Sequence, residues 1–125
     1  MTFLPPEDRA YLAEKGIAYE EREENGQKAV ILRAWHLPDG HYDIGNADIL
    51  IILPSNYPDA APDMFYLMPW AKLARGNYPR AADVPHPFAG QTWQRWSRHE
   101  SAWRRGVDGI WTMIKRIEHA LKIAA

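Results

Sequence analysis

The apolar positions of the chain follow two different periods. Up to about residue 67 they form short runs separated by turn residues, whereas near the carboxyl end they recur every three or four positions. The second spacing predicts a helix over residues 108–123 with Asp108 as its N-cap. A shorter helix is predicted over residues 5–15, because Pro5 and Pro6 suit a helix start and Gly16 a stop. The apolar face of the later helix comprises Val107, Ile110, Trp111, Ile114, Ile117 and Leu121.

Four strands are predicted between these helices. Asn25-Gly26 separates two β-like runs and favours a tight hairpin. The first run, EEREE, is interpreted as a solvated edge, and residues 30–32 as buried positions of the second strand. Residues 47–53 predict a central strand and residues 63–67 a fourth. Because the connections are short, we expect an α+β fold whose sheet is a four-stranded antiparallel meander flanked by an N-terminal and a C-terminal helix.

Some forty residues, 68–107, then precede the last helix and are rich in proline and glycine. We interpret them as a long loop, which in a compact domain is usually functional or ordered by its own packing. Within it, residues 86–103 read HPFAGQTWQRWSRHESAW and combine three tryptophans with histidines, arginines and hydroxyl side chains. This segment is the main candidate for function.

Composition narrows the possible functions. With 125 residues and 46% hydrophobic content, we expect residues 1–125 to form one domain. Fifteen basic and sixteen acidic side chains produce no global field that would attract nucleic acid or a membrane. The chain has no cysteine, which excludes disulfides and thiolate nucleophiles. No signal-peptide pattern or membrane-length apolar run is present, so a cytoplasmic location is expected.

One string carries a family resemblance. The stretch ILIILPSNYPDAAPDMFYL, with Pro54, Tyr57-Pro58 and Pro62 after an apolar strand, resembles the central strands of the ubiquitin-conjugating enzyme superfamily. In that family a His-Pro-Asn triplet, a glycine, the catalytic cysteine and a tryptophan follow. Here His86-Pro87-Phe88, Gly90 and Trp103 stand in that order. With its WQRWSRH string, the chain looks most like the bacterial branch of the superfamily. The resemblance implies three partners: a ubiquitin-like protein, an activating-enzyme-like protein and a JAB-type metallopeptidase.

The departures from the family pattern bear on the chemistry. Alignment on Gly90 places Trp93 near the position of the family's cysteine, so thioester formation is excluded. Phe88 replaces the asparagine that in the family helps to stabilise the oxyanion. The resemblance therefore supports the fold more strongly than the family's relay activity.

A catalytic interpretation without cysteine uses hydroxyl groups. Ser97 or Thr92 could form an oxyester, with His99 or His86 as the base that removes the hydroxyl proton. Ser97 and His99 are two positions apart and would share one face of an extended segment. The alternative is a turn serine and a surface histidine.

Two non-catalytic interpretations of the same segment stay open. Its tryptophans and arginines could form a surface that binds a partner protein or an acidic tail, since both residue types are enriched in binding hot spots. Stacking platforms and cations would also suit single-stranded nucleic acid, although the balanced charge argues against it. Alternatively, Trp93 and Trp96 fill the core. The candidate binding residues are Trp93, Arg95, Trp96, Arg98, Arg104 and Arg105. The residues expected to be architectural are Pro54, Tyr57, Pro58, Pro62 and Trp103.

A metal site is not expected. His36, His41 and Asp43 lie close in sequence, but their spacing matches no strong zinc template and turn residues explain the stretch. No cofactor is expected either. We therefore expect a conjugating-enzyme-like component of a bacterial ubiquitin-like modification pathway that works without thioester chemistry. A non-catalytic adaptor, comparable to conjugating-enzyme variants and RWD domains, is the alternative, and a nucleic-acid-binding module is a distant one.

Overall fold

The computed structural model describes residues 3–99 and 102–125, which form an α+β fold. The elements in chain order are α1 (Pro6–Glu14), β1 (Tyr19–Glu24), β2 (Gln27–His36), β3 (Asn46–Ile52), β4 (Phe65–Met68), β5 (Val84–Phe88), β6 (Gln91–Trp96) and α2 (Ile110–Ile123). Among the helices in these ranges, none has the length and apolar character needed to cross a membrane.

The sheet has six strands in the order β1-β2-β3-β4-β6-β5, and every neighbouring pair is antiparallel. The first four strands lie side by side in chain order, but the prediction of a four-stranded meander is not confirmed, because two further strands extend the sheet. The expected loop contains the β5–β6 hairpin instead. Its turn residues, Ala89 and Gly90, have φ angles of 52° and 76°, the pattern of a two-residue I′ turn. Pro85 and Pro87 are compatible with β5 because it is an edge strand, where proline is tolerated.

The turn between β1 and β2 is the predicted one. Asn25 and Gly26 have φ angles of 51° and 78°, and the strands pair from Tyr19↔Leu32 to Glu24↔Gln27. The acidic run on β1 is less solvated than predicted. The Glu21 side chain is 6% exposed, contacts Arg9 at 3.1 Å and accepts hydrogen bonds from the backbone N–H groups of Phe3 and Leu4. Glu21 therefore attaches the start of the chain to the sheet.

Both faces of the sheet are buried at its centre. The main core lies between the sheet and the helices, and there Ile49, Ile51 and Leu53 pack with Ile114 and Ile117 of α2, which confirms the predicted placement of that helix. A second, smaller core lies on the other face. It comprises Ala29, Ile31, Leu50, Tyr66, Phe88 and Trp93. The alternation of side chains along a strand sends neighbours on β2 and β3 to opposite cores.

The start of α2 differs from the prediction in two respects. Gly109, not Asp108, is the N-cap residue. The backbone N–H of Ile110 donates to Asp8 Oδ1 at 3.1 Å, so a carboxylate from α1 satisfies this helix end. Asp8 also accepts a hydrogen bond from the Tyr57 hydroxyl. Val107, predicted on the apolar face, precedes the helix and is 54% exposed.

Candidate functional site

The predicted functional segment is mostly strand. Residues 86–88 belong to β5, residues 91–96 form β6, and residues 97–99 continue beyond it. Of the quoted stretch, Glu100 and Ser101 lie outside the described residues. β6 lies between β4 and β5 in the sheet. Since successive side chains of a strand point to opposite faces, those of β6 alternate between the two cores.

The two tryptophans of β6 point to opposite faces of the sheet. Trp93 is 1% exposed in the second core, where its Nε1 donates to the Phe88 carbonyl at 3.3 Å. Trp96 is fully buried in the main core and stacks on Phe65 at a centroid distance of 5.4 Å. The interpretation of these tryptophans as partner-binding side chains is therefore wrong, since a three-residue spacing in a strand sends both rings into the interior.

The sequence did not predict a structural role for Gln94, which lies between the two tryptophans. Its side-chain oxygen accepts from the Ala71 N–H at 2.8 Å, and its nitrogen donates to the carbonyls of Ala71 and Ala82 at 2.9 and 2.7 Å. This fully buried amide joins β6 to the connection between β4 and β5. A single polar residue between aromatic ones on a strand gives no sequence signal for such a role.

His86 and Thr92 do not form a nucleophile–base pair. In the β5–β6 register His86 lies opposite Trp93, and Thr92 lies opposite Pro87, so the two side chains project from opposite faces of the sheet. The centres of the His86 and Tyr66 rings are 4.6 Å apart. Burial is the main reason that the pKa of His86 is lowered, and the positive charge of Arg95 lowers it further. The chemistry proposed for this pair is thus not supported by the geometry.

Ser97 and His99 lie closer together but use different partners. The Ser97 hydroxyl faces Met64 Sδ at 3.9 Å, while His99 Nδ1 is 2.8 Å from Asp63 Oδ1. The His99–Asp63 pair is well exposed, with 62% and 67% of the two side chains accessible. Within the described residues no hydrogen bond joins Ser97 to His99. Asp63, 36 positions from His99, could not be recognised from the sequence as its partner.

Ser97, His99 and Asp63 nevertheless line one groove, which we call the Arg98 groove. It has a volume of about 480 Å³ and lies between residues 97–99, the start of β4 and α2. Its lining comprises Pro62, Asp63, Phe65, Ser97, Arg98, His99, Trp111, Thr112, Met113, Lys115, Arg116, His119, Ala120 and Ile123. The sequence did not predict this groove, because Trp111 is the only residue of the predicted apolar face among the α2 residues that line it.

Arg98 is one of two half-buried cations of this groove, with Arg116. The Arg98 guanidinium lies 5.0 Å from the centre of the Trp96 ring and donates through Nη1 to the Ser97 carbonyl at 3.0 Å. Burial lowers the pKa of Arg98, although the group stays charged at neutral pH. The predicted binding role of Arg98 is therefore compatible with its position.

The other predicted binding arginines lie elsewhere. Arg95 projects to the sheet face opposite Trp96, and its Nε is buried with no hydrogen-bond partner among the described residues. Arg104 pairs with Asp108 at 2.9 Å, and this hydrogen bond is the main reason that the pKa of Asp108 is lowered to about 2. Arg105 is exposed and lies 3.5 Å from Asp59. The six candidate residues thus do not form a single surface.

Four of the residues expected to be architectural lie between β3 and β4, and the fifth, Trp103, contacts that segment. Trp103 Nε1 donates to the Pro58 carbonyl at 2.9 Å, and its ring lies 6.4 Å from that of Tyr57. Burial, reinforced by the hydrogen bond to Asp8, strongly raises the pKa of Tyr57. Pro62 is buried and Pro54 half-buried. These contacts join the segment after β3 to α1 and to the residues that precede α2.

The residues considered for a metal have other contacts. His36 Nε2 is 2.8 Å from Asp39, His41 Nε2 is 2.7 Å from the Ala124 carbonyl, and Asp43 accepts from the Lys72 N–H. In the part of the chain that the structure describes, no three histidine, aspartate or glutamate side chains converge as a metal site would require.

Comparison with known proteins identified one family. The model of prokaryotic E2 family E matches residues 4–124, which is nearly the whole chain. Comparisons with curated proteins and with solved structures found no significant match.

Proposed function

This chain belongs to prokaryotic E2 family E, and we propose that it is a conjugating-enzyme-like component that binds and positions a ubiquitin-like protein in a bacterial modification pathway. The observation that carries the proposal is the absence of cysteine from a chain of this family. A thioester relay requires a thiolate nucleophile, which none of these 125 residues can supply. Without a thioester relay, the role that this fold can still perform is the binding of a partner protein.

The environment of the two candidate hydroxyls favours binding over covalent transfer. A hydroxyl becomes a useful nucleophile only when a base within hydrogen-bond reach removes its proton. Thr92 projects away from His86, and Ser97 faces a methionine sulfur instead of an imidazole. Partners expected for such a protein are the ubiquitin-like protein itself and its activating enzyme, with a JAB-type metallopeptidase in the same pathway.

An oxyester relay through Ser97 is the second candidate, because Asp63 holds His99 beside the same groove. An aspartate on Nδ1 leaves the other ring nitrogen, Nε2, to act as the base. In such a step Ser97 Oγ would attack the carbonyl carbon of the thioester on the activating enzyme. His99 would take the hydroxyl proton, and the activating enzyme's thiolate would leave and be reprotonated. The step requires Ser97 to turn from Met64 towards His99.

One reconstitution separates the two functions. The protein is incubated with its activating enzyme, ubiquitin-like partner and ATP, and the products are separated with and without thiol reductant. We expect saturable binding of the ubiquitin-like protein and no covalent adduct. Binding is measured by calorimetry, and Arg98→Ala is expected to weaken it by about 2 kcal/mol.

An adduct that survives reductant but yields to hydroxylamine would instead establish the oxyester. In that case Ser97→Ala should abolish it and the matched Thr92→Ala should not. His99→Ala should slow its formation roughly 10²-fold or more. If neither binding nor an adduct is found with the cognate partners, the proposed function is wrong.

A further inference from the structure

The Arg98 groove has an apolar side and a cationic side. Phe65 and Met113 form buried parts of its wall, Trp111 is half-exposed, and Ile123 at its rim is 62% exposed. An apolar side chain exposed to this extent beside a groove is available to a ligand. The groove therefore offers a contact for an apolar group.

The cationic side has an excess of positive charge. Three cations line the groove: Arg98, Lys115 and Arg116. Among the described residues of the lining, the only carboxylate is that of Asp63. Asp63 contacts His99, and Lys115 lies 3.7 Å from Glu118. Because the whole chain has a net charge of −1, this excess is a local feature.

The two arginines are held in place without using carboxylates. Arg98 lies over the Trp96 ring, and Arg116 lies over the Trp103 ring at 5.5 Å and donates to the Ala102 carbonyl. No carboxylate among the described residues pairs with either guanidinium. A guanidinium has five donors, and aromatic stacking fixes its plane while leaving most of them unused. Such groups are preorganised to receive a carboxylate in a two-pronged contact.

We propose that the Arg98 groove binds an acidic peptide segment of a partner protein, with side-chain carboxylates on Arg98 and Arg116 and separate apolar side chains against Trp111 and Ile123, which lie near opposite ends of α2. The match is one of charge, since a partly desolvated arginine gains most from an incoming anion. The apolar contact distinguishes a peptide from a simple anion. Nucleic acid fits less well because Trp111 is only half-exposed and the rest of the apolar side is not a stacking platform.

The test uses a short fluorescent peptide in which aspartate and glutamate alternate with leucine, amidated at its carboxyl end so that only side-chain carboxylates are present. Binding to the full chain is followed by fluorescence anisotropy. We expect saturable binding that Arg98→Met and Arg116→Met each weaken roughly tenfold. Methionine keeps the unbranched stem over the ring and removes the charge. Arg75→Met is the matched control, since Arg75 is exposed and lies outside the groove, and it should leave binding unchanged.

Two altered peptides test the two sides of the groove. Replacing the acids by their amides should abolish binding, and replacing leucine by serine should weaken it. Ile123→Glu provides a second variant that needs no change in the core, and the added carboxylate should repel the acidic peptide. Binding should also weaken steadily as salt is raised towards about 1 M, where charges are screened within about 3 Å.

The proposal is overturned if the acidic peptide does not bind saturably, or if Arg75→Met weakens binding as much as Arg98→Met. It is also overturned if a single-stranded oligonucleotide binds the groove more tightly than the peptide, with the same arginine dependence. The assay contains no ubiquitin-like protein, so its failure would leave the proposed function intact. Equally, a partner that binds without using this groove would not rescue the proposal.

Discussion

Replacing Asp8 by alanine should destabilise the protein more than any other change to an acidic residue of α1. Asp8 is 5% exposed and makes contacts with two distant segments. One carboxylate oxygen accepts the Ile110 N–H at the start of α2 at 3.1 Å, and the other accepts the Tyr57 hydroxyl. The substitution therefore leaves two donors without a partner in a packed region.

The size of the effect follows from those two contacts. Losing the carboxylate at a helix N-terminus costs about 0.5–2 kcal/mol. Leaving the Tyr57 hydroxyl without its acceptor adds about 1 kcal/mol. We expect Asp8→Ala to lower the free energy of unfolding by about 1.5–3 kcal/mol. Glu7→Ala in the same helical turn is exposed and should cost less than about 0.5 kcal/mol.

The assay is urea denaturation followed by circular dichroism, with Tyr57→Phe added to complete a double-mutant cycle. Tyr57→Phe alone should cost about 1 kcal/mol, and the two changes together should cost less than their sum by a similar amount. The reasoning is refuted if Asp8→Ala is as mild as Glu7→Ala. It is refuted in part if Asp8 and Tyr57 act additively within about 0.5 kcal/mol, because the hydroxyl would then not depend on the carboxylate.

Two further predictions concern α2. Ile114→Ala should lower the free energy of unfolding by about 2–5 kcal/mol, because Ile114 is buried. Its control, Glu23→Ala at an exposed position of the edge strand, should change that free energy by less than about 0.5 kcal/mol. Equal urea midpoints would contradict this assignment of core and surface. The hydrogen bond from Arg104 holds the folded-state pKa of Asp108 at about 2, below its unfolded value of about 3.9. This carboxylate therefore adds stability above about pH 4 and loses its contribution as the pH falls towards 2. The stability difference between the wild type and Asp108→Asn should shrink over that range, and a difference that stays constant with pH would contradict the coupling.

The parts of the fold that were predictable are those fixed by local chemistry. Asn25-Gly26 specifies its own hairpin because both residues tolerate positive φ, and the spacing of Ile110, Ile114 and Ile117 specifies a buried helix face. The β5–β6 hairpin was not predictable in this way. Pro85 and Pro87 are typical of loops, and only the position of β5 at the sheet edge makes them acceptable.

The missed contacts join residues that are far apart in sequence. Asp8 caps α2 across 102 positions, and His99 meets Asp63 across 36. Neither partner is distinguished by its immediate neighbours, since aspartates at a helix start or after a proline have ordinary local explanations. In the candidate site, the sequence therefore identified the correct segment but not the side chains that complete it.

The packing of this domain agrees with the absence of thioester chemistry. Trp93 and Phe88, which the resemblance aligns with the family's cysteine and asparagine, lie in the same buried cluster and share a hydrogen bond. A cysteine placed at 93 would leave a cavity where a large ring is 1% exposed, and burial in apolar surroundings would raise the pKa of its thiol. The buried part of the hairpin thus belongs to the scaffold, and the groove proposed to bind an acidic peptide lies beyond its end, at Arg98 and along α2.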